Sequence, residues 1–193
     1  PVRAGVGGGV SDAAGPLRWL LAIAGVDVVP AELNVRAVSL GADGTACLLS
    51  RPCLVAGIGE TITPLHDFPA SSVVLVNPMR PVVTADVFRR LDRHAFDPLP
   101  QLPESLDRAA MLGMWLQDTR NDLQAAAHGL VPEIGEIETR LSRAPGCVFS
   151  RMSGSGATVF GLFGSAQLAH LAAQELRREW PDYWIAAAPL VAP

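Results

Sequence analysis

The stretch GVGGGVSDAAG, residues 5–15, places four glycines within five residues and follows them with a serine, an aspartate and two alanines. Glycine loses more backbone freedom on folding than any other residue, so such a cluster is typical of a flexible linker or of backbone that passes close to a ligand. Amide groups at the start of a following helix, together with the helix dipole, favour an anion. We therefore predict a phosphate-binding turn, and a flexible loop with an ordinary Ser11 or Asp12 cap stays open as the alternative.

Two familiar nucleotide-binding patterns do not fit this turn. After Gly5 and Gly7, the third glycine of a dinucleotide-binding fingerprint would fall at the position of Val10. A Walker A loop needs a lysine, and all fifteen basic residues of the chain are arginines. The sequence therefore favours a glycine-rich turn of a different kind.

Composition restricts the class of protein. With 193 residues, 49% hydrophobic and 18% charged, the chain can bury a core as one or two domains. A net charge of −4 argues against a nucleic-acid partner, and no apolar run reaches the length of a membrane span. Cys47, Cys53 and Cys147 form neither a CxxC pair nor an even framework, which favours reduced thiols in a cytoplasmic protein. The four histidines share no ligand spacing, so we predict no metal site made by the protein.

Apolar periodicity and turn residues predict an α+β protein. Pro16 predicts a kink or a late start of the first helix, and Thr84 is the predicted N-cap of another helix. Residues 66–72 are the predicted linker, and the proline-rich residues 95–107 are a predicted loop. We predict helices over residues 12–24, 30–40, 84–93, 108–117, 121–128, 132–143 and 167–180, and strands over residues 46–57, 60–65, 73–76, 147–153, 157–163 and 183–190.

Several short motifs, in order along the chain, resemble those of the GHMP kinases. Within that family the chain is most similar to the members that phosphorylate a diphosphocytidyl sugar alcohol on the non-mevalonate route to isoprenoids. Each motif has low specificity, but together they extend over almost the whole chain. The motifs are PxxxGxGGGxSDAA (residues 1–14), SLGAD (39–43), GIGETITPL (57–65), VVLVNP (73–78), VTADVF (83–88), NDLQ (121–124) and MSGSGATVFGLF (152–163).

The resemblance implies a GHMP-kinase two-domain α+β architecture. Residues 1–70 would be a remnant of the amino-terminal nucleotide domain, and residues 71–193 a complete carboxy-terminal domain with a ferredoxin-like split βαβ fold. Family members carry roughly a hundred residues before the first glycine-rich motif, enough to complete a first domain, and these include a catalytic lysine. We therefore expect the chain to be a fragment that transfers little phosphate by itself.

The resemblance also implies the chemistry, with ATP and Mg²⁺ on the donor side and diphosphocytidyl methylerythritol as the small-molecule acceptor. Asp43 would act as general base for the attacking hydroxyl, although Gly-Ala-Asp-Gly is also ordinary turn chemistry. The turn at residues 153–156 would support the phosphate loop or contact substrate, and a plain hairpin stays open there. The implied phosphate-binding residues are Gly5, Val6, Gly7, Gly8, Gly9, Val10 and Ser11, and the implied supporting residues are Asp12, Ser153, Gly154, Ser155 and Gly156.

Two positions depart from the pattern of the family. Val10 replaces a serine, which removes one hydroxyl from the anion site, and Gly44-Thr45 replaces Val-Pro after Asp43, which predicts a looser loop. Two alternative functions stay open, namely another GHMP kinase of the mevalonate or homoserine type and a catalytically inactive binding module. Either is compatible with an oligomer.

Overall fold

The computed structural model describes residues 8–24, 43–66, 68–92 and 97–190. These residues divide between two compact units at the junction of Phe68 and Pro69. The helix predicted over residues 30–40 and the glycines before Gly8 lie outside the described residues. The predicted domain boundary near residue 70, with its assignment to a nucleotide domain and a second domain, stays a prediction.

The first unit contains two helices and a hairpin. Helix α1 (Gly8–Ile23) and helix α2 (Gly44–Leu49) pack against each other, while β1 (Cys53–Ala56) pairs antiparallel with β2 (Thr61–Pro64). Between these strands Gly57 and Gly59 have φ angles of 69° and 103°, in the left-handed region that glycine adopts without steric cost. A turn therefore separates the two strands, where the predicted strands over residues 46–57 and 60–65 meet.

In the first unit, the start of the first helix and part of the first predicted strand differ from prediction, while a kink at Pro16 stays a prediction. Helix α1 begins four residues before Asp12 and continues past Pro16, so the late start does not occur. Proline fits a helical φ angle and removes only one hydrogen bond, which a long helix can tolerate. The predicted strand over residues 46–57 is helical over Ala46–Leu49, since an unbroken apolar run carries no periodicity that separates helix from strand.

The second unit is an α+β sandwich. Its strands are β3 (Ser71–Asn77), β4 (Cys147–Met152), β5 (Val159–Phe163) and β6 (Trp184–Leu190). They form an antiparallel sheet in the order β4-β5-β3-β6, in which Val74 lies opposite Gly161 on one side and Ala187 on the other. In chain order this is the sequence second-third-first-fourth, which is the split βαβ arrangement that was predicted. The helices are α3 (Thr84–Arg89), α4 (Ala109–Gln117), α5 (Gln124–His128), α6 (Glu133–Ser142) and α7 (Ala166–Glu179).

The core of the second unit lies where α6 and α7 pack on this sheet. Ile134, Ile137 and Leu141 of α6 follow helical spacing and are fully buried, as are Leu176 of α7 and Val74 of β3. Burying each such side chain contributes about 1.5–3 kcal/mol relative to exposure. This core fixes α6 against β4 and β5, which is where the polar residues described below meet.

The ends of several elements differ from prediction. Val83, and not Thr84, is the N-cap of α3, because the Thr84 hydroxyl is engaged with another residue. Strand β3 begins at Ser71, so the predicted linker is shorter than residues 66–72. Residues 97–107 form no helix or strand, as predicted. Among the described residues, the helices lack the length and apolar character needed to cross a membrane.

Candidate functional site

The amino end of α1 provides the part of the predicted phosphate site that the structure describes. Gly8 and Gly9 form the first turn of the helix and not the loop ahead of it, which corrects that part of the prediction. The amide groups of the first three residues of a helix have no intrahelical acceptor, so the N–H groups of Gly8, Gly9 and Val10 remain donors. The first turn also lacks acidic residues, and a negative ligand meets no like charge there.

Asp43 lies directly before α2, with an exposed side chain. Its backbone is the N-cap of the helix, and its carbonyl oxygen accepts a hydrogen bond from Cys47 N at 2.9 Å. Its carboxylate makes no capping hydrogen bond to the helix. Capping of α2 therefore does not occupy this carboxylate.

Helices α1 and α2 are joined by packing and by one hydrogen bond. Ala14 and Leu48 are buried against each other, and Arg18 Nη1 donates to the carbonyl oxygen of Cys47 at 2.8 Å. Burial raises the pKa of the Cys47 thiol, and the nearby charge of Asp43 raises that pKa further. These contacts place Asp43 and α1 in the same unit. The prediction that Asp43 lies within reach of a bound γ-phosphate stays a prediction.

Gly44 and Thr45 form the first turn of α2 and are buried, so the looser loop predicted after Asp43 is wrong. Glycine and threonine can both enter a helix at its first turn, where their amide groups need no intrahelical acceptor. The hydroxyl of Thr45 is buried without a hydrogen-bond partner among the described residues. A buried hydroxyl without a partner costs about 1–3 kcal/mol.

In the second unit, Asn121 holds the glycine-rich turn at residues 153–156. Its side-chain amide nitrogen donates to the carbonyl oxygen of Met152 at 3.1 Å and to that of Gly154 at 2.8 Å. Its side-chain oxygen accepts from Leu123 N at 3.0 Å. Gly154 and Gly156 have φ angles of 54° and 86°, so the turn requires glycine at both positions.

Two further segments reach the same turn or the strand that follows it. The hydroxyl groups of Thr84 and Ser155 lie 2.9 Å apart and share a hydrogen bond. Asn77, at the end of β3, is buried and donates to the Thr158 hydroxyl at 2.8 Å. The segments 73–78, 83–88, 121–124 and 152–163 therefore meet at one end of the sheet, although they are far apart in sequence. The turn is therefore bonded to segments outside its own two strands, and its role at a phosphate or substrate site stays a prediction.

Glu138 of α6 is the residue that sequence reasoning missed. Its Oε1 accepts the Met152 N–H at 2.7 Å, and its Oε2 accepts from Gln124 Nε2 at 3.0 Å and lies 3.2 Å from His128 Nε2. Burial raises the pKa of Glu138, an effect that the Met152 hydrogen bond and the charges of His128 and Arg151 partly offset. The available signal was its place beside Ile134, Ile137 and Leu141, on the apolar face of the helix.

A cavity of about 610 Å³ lies beside the turn. Arg151 borders it and is held by the carbonyl oxygens of Leu116 and Thr119, each 2.9 Å from Nη2. The guanidinium also lies 4.5 Å from the centre of the Phe149 ring, and burial lowers the pKa of Arg151. The remaining lining is mostly apolar and includes Phe88, Leu91, Leu99, Trp115, Phe160 and, at the turn, Ser153 and Gly154.

The site residues fall into two groups. Asp43 and residues 8–12 belong to the first unit, whereas residues 153–156 belong to the second. Their grouping into one cleft stays a prediction. Within the described ranges, no cluster of histidine, cysteine and acidic side chains has the composition of a metal site, and the three cysteines are free thiols.

Comparisons with known proteins agree with this architecture. A family model described as the GHMP kinases C terminal matches residues 100–182. A solved structure of a 4-(cytidine 5'-diphospho)-2C-methyl-D-erythritol kinase superposes with a TM-score of 0.72 at 34% identity, covering 97% of this chain and 67% of the other. The chain therefore belongs to the GHMP kinase family, and the resemblance seen in its motifs is confirmed.

Two curated relatives of this chain carry the same enzyme name, and a more distant solved structure shares its fold. A protein of Mesorhizobium japonicum named 4-diphosphocytidyl-2-C-methyl-D-erythritol kinase is 48% identical over 187 residues, which are 97% of this chain and 63% of the relative. A relative of the same name from Sinorhizobium medicae is 45% identical over 97% of this chain and 61% of its own length. A homoserine kinase from Cytophaga hutchinsonii shares the fold with a TM-score of 0.72, at 17% identity, over 100% of this chain and 67% of its own. The chain spans somewhat less than two thirds of the length of the Mesorhizobium and Sinorhizobium relatives.

Proposed function

We propose that the chain is part of a 4-diphosphocytidyl-2-C-methyl-D-erythritol kinase, which transfers the γ-phosphate of ATP to a hydroxyl of diphosphocytidyl methylerythritol. The observation that carries this proposal is the 48% identity to a relative of that name, over 97% of this chain and thus over both units. The likeness to homoserine kinase supports the fold alone. The acceptor is accordingly a small molecule, and the proposed location is the cytoplasm.

The proposed role of the first unit is to hold ATP and to activate the acceptor. Residues 5–11 would bind the nucleotide phosphates, and the unpaired amide groups at the start of α1 support this role because they suit an anion. Mg²⁺ would accompany the phosphates and neutralise part of their charge. Asp43 would accept the proton of the attacking hydroxyl, and its exposed carboxylate, unused as a cap, supports that assignment.

The proposed role of the second unit is to support the phosphate loop or to position the substrate. The glycine-rich turn at residues 153–156 carries no group that titrates near neutral pH, so it would act through its backbone and hydroxyl groups. The hydrogen bonds from Asn121 and Thr84 support a fixed geometry. Phosphoryl transfer depends mainly on positioning and charge neutralisation, and a fixed turn fits that requirement.

The second candidate is the catalytically inactive binding module that the sequence leaves open. Both candidates predict nucleotide binding, and only the first predicts product.

The experiment is a coupled assay of ADP formation, run on the chain as given and on the full chain read in frame from its gene. We expect the full chain to use diphosphocytidyl methylerythritol and to leave mevalonate and homoserine unphosphorylated. Asp43→Asn should lower kcat by at least about 100-fold, the lower range for general base catalysis, while Glu136→Gln, at an exposed position of α6, serves as a control that removes one carboxylate. Phosphorylation of homoserine in preference to the diphosphocytidyl acceptor would refute the proposal, and nucleotide binding without product would favour the binding module.

A further inference from the structure

Glu138 occupies an unusual place for a carboxylate. It lies on the face of α6 that carries the fully buried Ile134, Ile137 and Leu141, and its side chain is 14% exposed. Burial of a carboxylate disfavours its charged form, and the pKa of Glu138 is raised for this reason. A neutral or apolar side chain would avoid that cost. The hydrogen bonds of the carboxylate indicate which interactions offset the cost of its burial.

The donors around Glu138 require an acceptor with two oxygens. Met152 N–H donates to Oε1 and the Gln124 amide nitrogen donates to Oε2, while His128 Nε2 lies 3.2 Å from Oε2 without making a hydrogen bond. An ionised carboxylate only accepts hydrogen bonds, whereas a glutamine would place an NH₂ group on one of these two sides. Hydrogen bonds with an ionised partner are also about twice as strong as neutral ones. The site is therefore matched to glutamate and not to its neutral isostere.

Met152 is the last residue of β4 and directly precedes the glycine-rich turn. Its N–H is held by Glu138, and its carbonyl oxygen is held by Asn121. Gln124 lies three residues after Asn121 and is bonded to the same carboxylate. Glu138 thus joins the start of α5 to the residue that precedes the turn. The hydrogen bonds from Asn121 to Met152 and Gly154 require that these two segments keep their relative positions.

We propose that Glu138 is a positioning residue for the phosphoryl transfer inferred above: its carboxylate holds the turn at residues 153–156 and the NDLQ segment at residues 121–124 in one fixed arrangement. Only the kinetic consequence of this inference rests on the proposed function. Its structural consequence can be measured without any substrate. Glu138 itself touches no reacting atom in this assignment.

The structural arm measures amide hydrogen exchange by NMR on the 193-residue chain. In Glu138→Gln we expect the Met152 amide to exchange at least about tenfold faster, since losing a hydrogen bond to a charged group costs more than one neutral bond. The Ser153 and Gly156 amides, bonded to Thr158 O and Ser153 O, should follow, while core amides of α7 stay unchanged. Unchanged exchange at all three amides would overturn the proposal.

Two control variants separate the carboxylate from a general loss of packing. Glu136→Gln removes the same charge from an exposed position of the same helix. Ser150→Ala removes the hydrogen bond that Ser150 donates to the backbone oxygen of Glu138 at 3.0 Å, and leaves the carboxylate untouched. We expect both variants to keep the exchange of the turn amides within about threefold of the parent chain, well below the loss of a charge-assisted bond.

A second measurement needs no variant, so it remains decisive if Glu138→Gln fails to fold. In the chain labelled with ¹⁵N and ¹³C, we expect a scalar coupling across the hydrogen bond between the Met152 nitrogen and the side-chain carboxyl carbon of Glu138. Absence of this coupling, together with an unprotected Met152 amide, would overturn the proposal.

The kinetic arm uses the full chain read from the gene. We expect Glu138→Gln to lower kcat by about tenfold or more with KM for the acceptor changed less, the pattern for geometry needed in the transition state, and Glu136→Gln to match the parent. Faster turn exchange with unchanged kcat would overturn the positioning role. A parent chain that binds nucleotide and forms no product would instead overturn the proposed function, and the exchange data would then decide the structural role of Glu138 by themselves.

Discussion

Asn121 connects the NDLQ segment to the glycine-rich turn through three hydrogen bonds, two donated to Met152 O and Gly154 O and one accepted from Leu123 N. Asn121→Ala removes all three. A net hydrogen bond contributes about 1 kcal/mol to stability, and water can replace the bond to Gly154 because that bond lies at the surface. We therefore expect the free energy of unfolding of the second unit to fall by roughly 2 kcal/mol.

Urea unfolding, followed by far-UV circular dichroism and tryptophan fluorescence, measures this change. Trp115, Trp180 and Trp184 all belong to the second unit, so the fluorescence signal reports mainly on the part that carries the mutation. With a denaturant slope of about 1–3 kcal/mol per molar, the midpoint should fall by about 1 M urea. Asp122→Asn is the matched control, because its ion pair with Arg120 is partly exposed and contributes less than about 1 kcal/mol.

A second variant tests the direction of the hydrogen bonds. Asn121→Asp keeps an oxygen that accepts the Leu123 N–H, but it places a carboxylate oxygen against the carbonyl oxygens of Met152 and Gly154. At neutral pH we expect a loss of stability at least as large as that of the alanine variant, since like-charged oxygens repel each other. If neither variant lowers the urea midpoint more than Asp122→Asn does, the side chain does not hold the turn and the reasoning is refuted.

Three further predictions concern single sites. Thr45→Val removes a buried hydroxyl that has no hydrogen-bond partner among the described residues. The free energy of unfolding should therefore stay constant or rise by up to about 1 kcal/mol, and Tm should follow. A clear fall in Tm would show that the hydroxyl is bonded in solution. Gly156→Ala places a Cβ 2.9 Å from Met152 Sδ at a φ of 86°, so the free energy of unfolding, measured with urea, should drop by about 1–3 kcal/mol. At Gly15 an added Cβ meets no atom within 4 Å, so Gly15→Ala should not destabilise. The pKa of Glu138 is raised in the folded protein, so the native state binds more protons than the unfolded state just above the ordinary glutamate pKa. Stability of the parent relative to Glu138→Gln should therefore fall as pH rises through that window, and a difference that grows with pH would contradict the assigned direction.

Periodic segments were predictable because burial follows local spacing. Ile134, Ile137 and Leu141 recur at helical intervals, and β3 and β5 are rich in the β-branched and aromatic residues that favour strands. The run at residues 46–49 was not predictable, because an unbroken apolar stretch suits both helix and strand. Thr84 was misassigned for another reason: a threonine before a helix satisfies the N-cap pattern, while its hydroxyl is engaged by Ser155, 71 residues away.

The candidate site was predictable only in part. Local motif resemblance placed Asp43 and the glycine-rich turn in the sequence, and Asn121 within the NDLQ segment, without showing which groups these side chains contact. Glu138 carries no motif, and a glutamate on a helix is usually solvated. Its role depends on Met152, Gln124 and His128, which are 10 or 14 residues away along the chain, and such contacts follow from tertiary packing.

Three polar residues of the second unit hold the backbone at the turn of residues 153–156 and at the residue before it. Asn121, Thr84 and Glu138 each bond to that turn or to the residue before it, and none of the three presents a free titratable group to a ligand. Under the proposed function, these three residues fix geometry while Asp43 transfers the proton, and this difference has a kinetic consequence. Variants of these residues should lower the rate through geometry and leave the pH dependence of kcat unchanged in shape, whereas a change at Asp43 should remove a titrating group from that profile. A pH–rate profile of the full chain with Asn121→Ala beside Asp43→Asn separates the two roles, and a shifted pH limb in the Asn121 variant would contradict this difference.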